Sequence, residues 1–169
     1  MYFTTLPSIL SYMKDKFDQP KAFNLAGETG WTSWSTDEFY QSVMQLALGM
    51  HAYGIRKENV GLIAPSSPYW LMVDLAIMIS GNVTVPVFKR ISAESMSFES
   101  KDSKLHYYFI GHAGELEMVR AHGKSVKKII PLQMQAEGDD ILTLNELVEL
   151  GSQAAEKDPE KFSELVDKV

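Results

Sequence analysis

Cysteine is absent from these 169 residues. Disulfides, zinc–thiolate sites, iron–sulfur clusters and thiol nucleophiles are therefore excluded, and the chain suits a reducing compartment. Also lacking is any apolar run approaching the roughly 20 residues that a bilayer demands. The longest, residues 69–80, is interrupted by Asp74. Residues 1–17 show no basic-then-apolar leader pattern and bring charges in early. The expected location is cytoplasmic, with peripheral membrane contact left open for a longer protein. There is no basic excess either: formal net charge is −6, so no nucleic-acid partner is expected. Three catalytic signatures are missing as well, namely Gly-x-x-x-x-Gly-Lys-Ser/Thr, Gly-x-Gly-x-x-Gly and Gly-x-Ser-x-Gly. His51, His106, His112 and His122 form no His-x-x-x-His pair, so no metal site and no catalytic residue is expected.

What is present is a regular alternation of helix and strand signals. Residues 5–17 carry Leu6, Ile9, Leu10, Met13 and Phe17 at helical spacing. Residues 22–25 and 30–34 read as short strands around a turn. Ser35 or Thr36 caps a helix with Asp37 and Glu38 in its first turn and Phe39, Val43, Leu46, Ala47 and Met50 on its buried face. Gly54 stands where a left-handed stop belongs. The run Val60-Gly61-Leu62-Ile63-Ala64 suits a strand buried on both faces, as in a parallel sheet. Ser67 and Pro68 open the next helix, Gly81-Asn82 end it, and residues 83–88 return as strand. That is a βαβ unit with an expected right-handed crossover.

Further elements follow: a helix over 92–102, a strand over 107–110, a helix over 113–121 and a strand over 126–131. Thr143 then caps a helix carrying Leu144, Leu147, Val148 and Leu150. From Glu137 onward ten acids face only Lys157, Lys161 and Lys168. Such an end reads as a solvated helical face. The expected fold is α/β, a partly parallel sheet of about five strands flanked by helices.

Three strings resemble the beginning of the AMP-forming acyl-CoA synthetases, a superfamily of adenylating enzymes. They are WTSWSTDEFYQSVMQLALGMHAYGI (31–55), VGLIAPSSPYWLMVDLAIMISGNVTVPVF (60–88) and SAESMSFESKDSKLHYYFIG (92–111). ILTLNELVEL (141–150) is similar to the helix that precedes that family's phosphate loop. Within the family the pattern leans towards long-chain fatty acid ligases. The resemblance implies a two-step reaction: a carboxylate attacks the α-phosphate of ATP, giving acyl adenylate and pyrophosphate, and the thiol of coenzyme A then displaces AMP. It implies ATP, Mg and coenzyme A as cofactors of the parent enzyme and a fatty acid as its substrate.

In that family the phosphate loop, the nucleotide contacts and a catalytic lysine lie C-terminal to everything seen here. Residues 1–132 are thus expected to be an N-terminal subdomain, and 133–169 a loop and acidic helical segment leading towards the phosphate loop. The piece by itself is expected to be inactive, to bind no cofactor, and to partner the C-terminal remainder of the same enzyme. A surface stripped of that neighbour favours self-association.

Lys89 and Arg90 follow a buried strand at the end where α/β sheets gather ligands. They are candidate phosphate contacts, or else a solvated basic turn; family members carry other residues here. Ser66 and Ser67 are read as capping residues. Trp70, Leu71, Leu75, Ile77, Met78 and Ile79 are read as core rather than an acyl tunnel. Asp74 should cap, pair, or face a part of the protein not in this chain. The competing reading of the whole is a non-enzymatic, doubly wound α/β binding or regulatory module.

Overall fold

Strand β3 (Asn59–Ile63) lies inside a four-stranded sheet with β4 (Val83–Pro86) on one side and β5 (Tyr107–Ile110), then β6 (Lys128–Pro131), on the other. All three pairings are parallel. The computed structural model describes residues 5–169; residues 1–4 of the sequence lie outside that description.

A separate antiparallel hairpin joins β1 (Phe23–Gly27) to β2 (Gly30–Trp34). The helices are α1 (Ser8–Lys16), α2 (Thr36–Tyr53), α3 (Pro68–Ile79), α4 (Ala93–Asp102), α5 (Ala113–His122), α6 (Leu144–Lys157) and α7 (Lys161–Val166). The fold is therefore α/β, with a parallel sheet flanked by helices. Its antiparallel component is a separate hairpin rather than part of that sheet.

Alternation along the strands makes two cores. Val60, Leu62, Tyr107, Phe109 and Ile130 point into one, with residues of α1, α2, α3, α6 and α7. Ile63, Tyr108, Ile110 and Ile129 point into the other, with Met96 of α4 and Leu116 and Val119 of α5. This is why the strands read as continuous apolar runs: neither face meets water. The acidic C-terminal helices dock through Leu147, Gly151, Phe162 and Leu165, while Glu146, Glu149, Glu156 and Glu164 stay exposed.

Caps sit where local chemistry requires. Ser35 and Glu38 form a reciprocal capping box on α2, as Thr143 and Glu146 do on α6. Gly54 closes α2 at φ 97°.

Both sheet edges are blunted by proline. Val83 and Val87 donate to β3, so the alternate position, Pro86, faces outward without an N–H. At the other edge Ile129 donates outward to Asp140 and Leu132 inward to Ile110, which places Pro131 outward as well. A chain lacking donors at those points is a poor template for a further strand. The surface left open here is the side chains around β4 rather than its backbone.

Candidate functional site

In parallel sheets the ligand crevice opens where neighbouring strands send their connections to opposite sides. The order β4-β3-β5-β6 puts that point between β3 and β5. The chain leaves β3 for α3 and leaves β5 for α5, so two helix N-termini stand beside the crevice.

Each is capped in part by a side chain of its own segment. On α3, the Trp70 N–H donates to Ser67 Oγ at 3.3 Å, and Pro68 in the first turn has no N–H to offer. On α5, Glu115 Oε2 accepts from Gly111 N at 2.7 Å and His112 N at 2.9 Å. That carboxylate is 6% exposed. Helix N-termini attract phosphate because their N–H groups are free. Here the buried Glu115 side chain engages the two N–H groups that lead into α5.

Lys89 and Arg90 lie in the turn after Val87, at the carboxyl side of edge strand β4, one strand away from the crevice. Both are exposed, and among the described residues neither has a hydrogen-bond or ion-pair partner. Phe88, beside them, is 84% exposed. The structure brings no other charged group to them.

Ser67 is the N-cap of α3, while Ser66 is exposed. Leu75, Ile77 and Ile79 are core; Trp70 and Met78 pack against it; Leu71 faces out. Asp74 shares that outward side, half-buried and without a partner among the described residues. It neither caps nor pairs within this chain.

The histidines lie apart, and no three His, Asp or Glu side chains of the described residues group as a metal would need. His51 ends α2 with its Nδ1 buried and unpaired. Burial, followed by the positive charge of Arg56, Lys161 and Lys168, pulls its pKa below the usual imidazole value.

One charged cluster escaped the sequence reading. Glu58 accepts from His106 Nδ1 at 3.0 Å and from Lys127 Nζ at 3.1 Å. Each of the three just precedes a parallel strand, and register alone brings such residues together at the amino ends of β3, β5 and β6. A signal existed, namely a polar residue before each buried run, but it needed the strand order to be used.

Burial pushes the Glu58 carboxyl up, yet the hydrogen bonds from His106 and Lys127 outweigh it and leave its pKa lowered. Its contribution to stability is therefore complete above the carboxylate's unfolded value and lost as pH falls through the folded one. Glu58→Gln should flatten the acid limb of the stability–pH curve, read by urea unfolding between pH 3 and 7. An unchanged limb would show that Glu58 is not held this way.

The AMP-binding enzyme family matches residues 15–165. The long-chain-fatty-acid–CoA ligase FadD15 of Mycobacterium bovis is 28% identical over 123 residues, covering 72% of this chain and 20% of that protein. The chain thus spans about a fifth of the length of that curated relative.

Among solved structures, a Rhodopseudomonas palustris protein assigned as a long-chain-fatty-acid CoA ligase superposes with TM-score 0.72 at 18% identity. That alignment covers 85% of this chain and 36% of the other. The anthranilate CoA ligase AuaEII, in complex with anthranoyl-AMP, superposes with TM-score 0.68 at 15% identity, covering 85% and 27%. These superpositions speak for the fold, with its parallel sheet and α3 crossover. The family match runs through nearly every element from α1 to α7, and on that ground the chain belongs to the AMP-binding enzyme family.

Proposed function

We propose that this chain is the N-terminal part of an ATP-dependent, AMP-forming acyl-CoA ligase acting on a carboxylic acid of the long-chain fatty type. The observation that carries the reading is a family match over residues 15–165 in a chain that spans only a fifth of the FadD15 relative. The parent enzyme joins the acid to AMP with loss of pyrophosphate and then passes the acyl group to coenzyme A. This part supplies scaffold rather than chemistry, and side chains of its own cap the two helices beside the crevice.

The remainder of the enzyme covers the side chains left in solvent around β4, namely Val83 and Phe88, 59% and 84% exposed, and Leu71 with Asp74 on α3. In isolation the same surface favours self-association. Lys89 and Arg90, unpaired at the carboxyl side of the sheet, contact a phosphate of ATP or coenzyme A in the parent.

The purified chain should show no fatty-acid-dependent ATP–pyrophosphate exchange, and measurable exchange would overturn the scaffold reading. Sequencing the gene past codon 169 tests membership of a longer ligase. A Thr/Ser/Gly-rich loop with lysine supports it, and a stop codon followed by no such loop sinks it. In the longer enzyme, Lys89→Ala with Arg90→Ala should raise the KM for ATP or coenzyme A about tenfold, the loss of a charge-assisted hydrogen bond. Unchanged KM values would return the pair to a solvated turn.

A further inference from the structure

At the sheet edge opposite Lys89 and Arg90, two concavities meet. The first is an apolar crevice of about 210 Å³ between β2, α2, α3 and α6. Its walls are Trp34, Leu46, Tyr69, Met72, Val73 and Val148, with Trp34 and Tyr69 set edge-on at 5.2 Å. The second, about 580 Å³, opens at the carboxyl end of β6, between the loop that follows it and the start of α6. Gln133, Gln135, Asn145 and Thr143 line it, over Leu132 and Met134. Leu132 and Leu144 belong to both linings. The two therefore adjoin across those side chains as a groove in two parts, one mostly apolar and the other lined by amides.

The groove is built in advance. Arg120 clamps its loop by donating to both carboxylate oxygens of Asp140, each at 2.8 Å, and to the Glu137 carbonyl at 2.7 Å. Gln45 of α2 donates to Ser152 of α6 at 3.1 Å, tying the crevice walls together. The amides of Gln133, Gln135 and Asn145 have no partner among the described residues, and so remain free to donate and accept. No lysine or arginine lines the groove, and its one charged lining residue is Glu137. An anionic head would meet Glu137 there, and the neighbouring Arg120 is already paired with Asp140.

We propose that this groove binds a free, uncharged medium-chain amphiphile, its alkyl tail in the crevice and its hydroxyl or amide head among Gln133, Gln135 and Asn145. Pockets of this type are apolar with a few placed polar groups that fix orientation. At about 30 Å³ per water-sized group, the crevice holds roughly seven methylenes, which suits a tail of about eight carbons. The assignment is independent of the ligase reading, because it uses the two concavities and their charge alone.

The test is calorimetric titration of the intact chain with 1-hexanol, 1-octanol, 1-decanol and octanoate at pH 7. Each methylene should tighten binding about three- to fourfold up to octanol, with little gain beyond it. Octanoate should bind at least about fivefold more weakly than octanol, since a charge costs more to desolvate than a hydroxyl. Val148→Trp should fill the crevice and weaken octanol at least about tenfold. Ser42→Trp does the same from the α2 wall and serves if the first variant fails to fold, folding being checked by circular dichroism. Continued gain at decanol, equal binding of octanoate, or a folded crevice-filled variant that binds like the parent would each overturn the proposal.

Discussion

Gly151→Ala should lower the melting temperature of this chain by roughly 5–10 °C, from a destabilisation of about 2–3 kcal/mol. Residues 45 and 49 of α2 and residues 147 and 151 of α6 are spaced four apart on their helices, the spacing of ridges that interdigitate. A methyl group on Gly151 would lie under 3.0 Å from the Gln45 carbonyl, and one on Gly49 equally close to that of Leu147. In both cases the obstacle is backbone, which cannot swing aside as a side chain can. The only relief is to part the helices, and that opens the core around Leu46, Ala47 and Leu147. Gly49→Ala should cost a similar amount. The double variant should fall short of the sum, because helices already parted by one methyl accommodate the second more cheaply. Thermal and urea unfolding read the effect, and a melting temperature within about 2 °C of the parent would refute the close approach.

The second large effect concerns Asn82, which is 6% exposed and ends the turn after α3. Its amide donates to the Ile55 carbonyl at 2.9 Å and to Ser80 Oγ at 2.8 Å, and its oxygen accepts from Glu58 N at 3.0 Å. One side chain thus ties the segment leaving α2 to the turn entering β4. Asn82→Ala should cost about 2–4 kcal/mol, since it leaves a buried carbonyl and a buried N–H without partners. Asn82→Asp is the sharper variant. It keeps the shape and the acceptor but sets a carboxylate against the Ile55 carbonyl, so it should destabilise at pH 7 and recover in part as the acid protonates. If the aspartate variant matched the parent across pH, the amide would not be donating as described.

Lys89 and Arg90 are exposed and have no hydrogen-bond or ion-pair partner among the described residues. Glu115 is the more instructive residue. From sequence, residues 113–121 read as an ordinary short helix, and nothing marks an acid at position 115 as buried. Its carboxylate accepts from the N–H groups of Gly111 and His112, so a buried acid of the chain itself stands at the end of β5.

The helix caps were legible because they obey rules spanning four residues. Ser35 with Glu38, Ser67 with Pro68, and Thr143 with Glu146 each satisfy N–H groups that any helix leaves open. The parallel strands were legible because burial on both faces leaves no room for polar alternation. Strand order was not, and with it went the Glu58–His106–Lys127 cluster and the position of the crevice. The groove beside β6 was equally hidden, since its walls come from four elements distant in sequence. Leu144 and Val148 on α6 read only as an apolar stripe until Trp34 and Tyr69 stand opposite them.

The sequence by itself determined the element order, the helix caps, the α/β class and the resemblance to adenylating enzymes. Each of these rests on local spacing or on strings of neighbouring residues. Its lack of cysteine likewise excludes disulfides and thiolate sites within these residues. Tertiary structure alone decided that Gly49 packs on the Leu147 backbone and Gly151 on that of Gln45. It also turned proline outward at both sheet edges and set two concavities side by side. Such facts depend on which surfaces touch, and contact between distant segments follows from packing rather than from any local pattern.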